Sequence, residues 1–371
     1  MIILSKKYSY SITINAPAKK GSNFTYSFGN TQNVQICIGK NSVSSFFQLT
    51  VKKTHEELLQ MKLKLLRDVL RKSYLLFAII NNKSLEIKTI NISVDNDIIT
   101  YDSNSDNFPY VFSMLNSKDF GLTNEWQNEK LYDYIIHSTK TSSDWDYKNC
   151  AIQAFLLGKS RNYETDKFLN FWTAMNSVYN FYADLFEESE CLKRNIERSE
   201  LGKYRAKGID NASLGILGCI LDSTFFMPKK PENIDAYKIA YKETSRYLKK
   251  IKKEEIGHLY FIAKNYADKT SSDNGNYNEL FDLADTMGIS LYLYLLLIYP
   301  YYLRCNYFHG SKVQPVISAY NDPEILDLNI INRYLELFLN HEIPKIIRTN
   351  TISENDMLAI ESYMEKRKKS N

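Results

Sequence analysis

Hydrophobic and polar positions alternate with a period of two near the start of the chain. Tyr8, Tyr10, Ile12 and Ile14 do so first, and Val34, Ile36 and Ile38 repeat the pattern after a Gly- and Asn-rich gap. Short runs of this kind bounded by turn residues predict half-buried strands. Phe46, Phe47, Leu49 and Val51 add another. Thr54-His55-Glu56-Glu57 then reads as a capping box, in which the threonine hydroxyl and a glutamate satisfy backbone donors at a helix start. The helix it opens is expected to run to about Ile80, with Leu58, Leu59, Leu65, Leu66, Val69 and Leu70 on one face. Period two returns at Leu85, Ile87, Ile90, Ile92 and Val94, with a slip at Thr89 that reads as a bulge. A turn at Asp95-Asn96-Asp97 leads to a strand from Ile98 to Tyr101.

The period then changes. Residues 102–147 are rich in Asn, Ser and Asp, and a domain boundary is expected near residue 140, with Lys140-Thr141-Ser142-Ser143-Asp144 as the linker. From Cys150 the spacing is helical. Phe168, Phe171, Trp172, Met175, Val178, Tyr179, Tyr182, Leu185 and Phe186 fall three and four apart, which predicts an amphipathic helix of about five turns. Such an aromatic stripe is expected in a core or a dimer interface before a base-stacking platform, with Asn176 and Asn180 beside it. A polar insertion is expected over residues 187–276. A long helix from about Asn278 should kink at Pro300, and a last helix opens at Asp322-Pro323, with Asp322 as its cap. The predicted organisation is an α+β domain over residues 1–140, an all-α bundle over residues 141–350, and a tail over residues 351–371 whose basic end should be disordered.

Composition narrows the function classes. A chain of 371 residues favours two domains, and 44% apolar with 24% charged residues is ordinary for a folded protein. The net charge of +4 is small for this length, so a nucleic-acid footprint must come from local clustering. The cluster is present: Lys229 to Lys253 holds nine basic residues against three acidic ones, with Lys242, Arg246, Lys249 and Lys250 at its centre. A stripe of this density can track an RNA backbone, or it can be the solvated face of a helix. The 28 tyrosines fit a genome poor in G and C. Five scattered cysteines, Cys37, Cys150, Cys191, Cys219 and Cys305, show no zinc or redox spacing and point to a reducing compartment. Met1 to Tyr10 reaches lysines before any apolar core develops, and the most apolar run, Ile289 to Leu303, is too short to span a membrane. A cytoplasmic protein with no membrane partner is expected. No phosphate-binding glycine loop or metal cluster is visible, so no cofactor is expected.

The chemistry gathers at Leu303-Arg304-Cys305-Asn306-Tyr307-Phe308-His309-Gly310-Ser311-Lys312. Arginine grips phosphate with a fixed fork of donors, and histidine titrates near neutrality, so the pair suits cleavage of a phosphodiester. On a straight helix Arg304 and His309 stand about 140° apart, too far to reach one atom. Gly310 favours a helix end just after His309, where the negative end of the helix favours a protonated imidazole. This predicts a site at a helix terminus, completed from elsewhere. His55, His137, His258 and His341 have no supporting partners in the sequence.

The Arg304-to-Lys312 run resembles the Arg-x4-6-His motif of HEPN ribonucleases, and Phe168 to Asn180 is similar to an earlier helix of the Apea-like branch of that family. The two segments lie in the family's order, and the resemblance covers about Asp146 to Arg348. It implies a helical bundle that dimerises so that two motifs face one cleft, each protomer holding half a site. It also implies metal-independent endoribonuclease activity in which the RNA's own 2′-hydroxyl attacks the adjacent phosphate. His309 would relay the proton, Arg304 would stabilise charge on the phosphoryl oxygens, and Lys312 would hold RNA. Family context adds a toxin or antiphage defence role and a regulatory or antitoxin partner, with the N-terminal domain as sensor or restraint. The position after the arginine is usually polar in the family. Here it is Cys305, and Asn306, one place later, is the residue expected to take the supporting role. Two other readings stay open: a catalytically inactive module that binds RNA or protein, and a structural dimerisation unit built on the Trp172 stripe.

Overall fold

The register of one antiparallel sheet sorts the N-terminal residues into alternating rows. In this computed structural model the described residues are 4–14, 20–28, 31–39, 42–51, 55–83, 87–94, 97–102, 119–138, 146–203 and 323–351, with Pro300, Leu303, Arg304 and Leu358. The chain divides into two compact units, Met1–Asn149 with Lys159–Arg161, and Cys150–Gly158 with Asn162–Asn371. The expected linker at residues 140–144 lies outside the described residues.

In the first unit, strands β1 (Leu4–Ile14), β2 (Ser22–Phe28), β3 (Thr31–Ile38), β4 (Ser42–Val51), β5 (Ile87–Val94) and β6 (Asp97–Asp102) form a six-stranded sheet in the order β2-β3-β4-β1-β5-β6. All its pairings are antiparallel. One row across all six strands reads Phe24, Ile36, Ser45, Tyr10, Ile92, Ile99. The neighbouring row reads Asn23, Cys37, Ser44, Ser11, Asn91, Thr100, and a second of its kind reads Thr25, Gln35, Phe46, Ser9, Ser93, Ile98. A slip of one residue in any strand would mix apolar and polar rows, so the alternation fixes the register. The slip expected at Thr89 is present: Thr13 pairs with Thr89 but Ile14 with Ile87, leaving Lys88 unpaired.

The sheet contains one strand more than alternation at its start suggests. β2 occupies part of the Gly- and Asn-rich gap, where Phe24, Tyr26 and Phe28 alternate with polar residues. Helix α1 (His55–Asn81) covers the apolar side, against which Val34, Ile36, Ile38 and Val43 are buried. Every residue of α1 from Lys72 to Asn81 is buried. The segment read as loop holds a helix of its own, α2 (Glu129–His137), capped by Asn128 Oδ1 accepting from the Lys130 amide at 2.8 Å. Its Tyr132 ring meets Phe24 edge to face at 6.0 Å. Asp146 caps helix α3 (Tyr147–Ser160) through the Asn149 amide at 3.1 Å and also accepts from the Tyr134 hydroxyl.

The described residues of the second unit form helices and short turns, with no strand among them. Helix α4 (Glu164–Arg194) runs past the expected end of its aromatic stripe and stops where Asn195 takes a left-handed conformation, φ 51°. The Ile196 amide then returns to the Cys191 carbonyl at 3.1 Å, a closure that uses asparagine's tolerance of that region. Residues 187–194, expected to begin a polar insertion, are thus the last turns of α4. Helix α5 (Pro323–Arg348) begins on the expected proline and packs along α4. The expected helix from Asn278 and the basic stripe lie outside the described residues.

Candidate functional site

Of the arginine and histidine stretch, Leu303 and Arg304 are described. Both stand on helical backbone, Leu303 buried and Arg304 half-buried. His309, Asn306, Cys305, Gly310 and Lys312 lie outside the described residues, as do Lys242, Arg246, Lys249 and Lys250. The spacing between Arg304 and its expected partners therefore stays a property of the sequence.

The aromatic stripe of α4 is core. Phe168, Phe171, Met175, Val178, Tyr179, Tyr182 and Phe186 are each at most 1% exposed, and Trp172 lies half-buried, edge to face with Tyr179 at 6.4 Å. Asn176 is exposed. The Asn180 side-chain amide is turned back on the helix, donating to the Asn176 carbonyl at 2.9 Å.

The same bundle buries a polar run that apolar periodicity does not reveal. On α5, Asn340, His341, Glu342, Ile343 and Pro344 are all buried, and Glu342 has no exposure at all. Pro344 supplies no amide hydrogen to the carbonyl four residues back, that of Asn340. The Tyr182 hydroxyl donates to Glu342 Oε1 at 2.6 Å, and Lys345 Nζ lies 3.8 Å from the same oxygen. At the start of α4, the Asn332 amide donates to the Glu164 carbonyl and to Glu164 Oε2, both at 2.8 Å. At its far end, Arg194 Nε donates to the fully buried Glu190 at 3.1 Å, and Arg198 reaches both Asp184 and Glu187. Burial opposes the charge on Arg198, yet hydrogen bonds and attraction from the two carboxylates prevail and hold the guanidinium above its ordinary value.

The first unit carries a comparable hub around Asp68. Its carboxylate accepts from the Tyr26 hydroxyl at 3.1 Å and from Arg71 at 2.9 Å, and Lys72 Nζ stands 2.9 Å away. Lys72 has no exposure and lies 3.9 Å above the Tyr26 ring centre. Burial lowers its pKa, against the pull of Asp68. Its full enclosure makes it a structural cation, with no path for a substrate to reach it.

Among the described residues, no group of three His, Cys, Asp or Glu side chains could hold a metal ion. No described helix is long and apolar enough to cross a membrane. Comparison with protein-family models, with curated proteins and with solved structures finds no match.

Proposed function

We propose that the chain is a metal-independent endoribonuclease of the HEPN type, acting as a homodimer and serving as a toxin or antiphage effector in the cytoplasm. The observation that carries this reading is the run from Arg304 to Lys312, in which arginine, histidine and a glycine follow a long apolar stretch of sequence. The helical second unit supports it, as does the partial exposure of Arg304 on helical backbone, where a guanidinium can meet a phosphate. The segment that resembles the family's earlier helix, Phe168 to Asn180, lies on α4, whose buried aromatic face suits the framework of such a bundle.

In the mechanism, the 2′-hydroxyl of the RNA attacks the neighbouring phosphorus and the 5′-oxygen leaves. The products are a cyclic phosphate and a free 5′-hydroxyl. His309 moves the proton, and Arg304 binds the phosphoryl oxygens as their charge grows. Asn306 supports the pair, Lys312 holds the strand next to the cut, and the stripe at Lys242, Arg246, Lys249 and Lys250 tracks the backbone beyond it. DNA, without the 2′-hydroxyl, is not cut by this route. A second reading rests on Cys305, which stands where the family carries a polar residue: an inactive module that binds RNA or a regulatory protein.

Purified full-length protein incubated with total RNA in EDTA separates the two. Arg304→Ala and His309→Ala should each lower cleavage by about 100-fold or more. Equal cleavage by wild type and both variants overturns the site. RNA binding with no cleavage by any of the three favours the second reading.

A further inference from the structure

We draw no further inference here: the strongest candidate, the cluster of Asp184, Glu187 and Glu190 carboxylates at the end of α4, carries nothing, since Arg194 and Arg198 are its partners and nothing else among the described residues points to a ligand there.

Discussion

The Tyr182 hydroxyl donates to Glu342 Oε1 at 2.6 Å, joining α4 to α5 at a carboxylate with no access to water. A hydrogen bond to a charged group in such a place contributes more than an exposed one, because its loss leaves a desolvated oxygen. Tyr182→Phe should therefore cost about 1.5–3 kcal/mol, read from the urea midpoint. In a Glu342→Leu background the same change should cost much less, since the acceptor is gone. Equal losses in the two backgrounds would show that the pair contributes nothing beyond its packing.

Asp68 gathers Tyr26, Arg71 and Lys72, and the two cations differ in what they need from it. Arg71 is 23% exposed and can turn to water, while Lys72 is fully enclosed. Asp68→Asn should cost about 3–5 kcal/mol, because it leaves a buried ammonium without its counter-charge. Arg71→Gln should cost about 1 kcal/mol or less, as a partly solvated pair does. Adding Lys72→Met to Asp68→Asn should recover part of the loss. A double variant weaker than Asp68→Asn alone would rule out the stranded charge as the cause.

Alkaline pH should act on the first unit through two sets of groups with opposite signs. Burial raises the Tyr74 and Tyr134 phenols above their ordinary value, and the Asp146 bond adds to the rise at Tyr134. A raised folded value gives a contribution complete below the unfolded pKa of about 10 and lost as pH climbs toward the folded one. Lys72 and Lys148 are lowered by burial, so the cost of enclosing their charge is relieved as pH rises toward the unfolded value of about 10.4. Urea midpoints measured from about pH 8 to about pH 11 should show the lysine contribution rising first and the tyrosine contribution falling above about pH 10. Tyr74→Phe should flatten the falling limb and Lys72→Met the rising one. Curves parallel to wild type in both variants would remove these groups as the cause.

What the sequence made legible follows from which forces leave a period. β1, β3, β4, β5, β6 and α1 could be read from the spacing of their apolar residues, and Val34, Ile36 and Ile38 of β3 and Val69 and Leu70 of α1 are buried as that spacing requires. β2 was hidden by the glycines and asparagines at its ends, which outweighed a clear alternation of Phe24, Tyr26 and Phe28. α2 is short, and its signal was the single cap Asn128. The end of α4 was misplaced for a different reason. Apolar spacing stops at Phe186, but Glu187 and Glu190 continue the buried face as partners of Arg198 and Arg194, and a buried ion pair looks polar in a sequence. Glu342 escaped notice on the same ground, and His341, which has no supporting partner in the sequence, is buried beside it. At the proposed catalytic site, residue types carried the reading and the described structure adds Arg304 alone.

Gly158 of α3 lies against Phe171 of α4, and the contact gives a test whose sign is decided by packing. A Cβ on Gly158 would meet two carbons of the Phe171 ring at 2.7 Å. That ring has no room to yield: it is fully buried and stacked on Phe155 with centroids 5.6 Å apart. Helix propensity alone favours Gly158→Ala by about 1 kcal/mol, since glycine loses more backbone entropy on folding. Overpacking a filled core costs about 1–3 kcal/mol, so the clash should prevail and the variant should melt lower. In a Phe171→Leu background the obstruction shrinks, and Gly158→Ala should then be neutral or stabilising. A gain in melting temperature from Gly158→Ala in the wild-type background would mean that Phe171 can move, and that the contact between α3 and α4 is looser than its geometry implies.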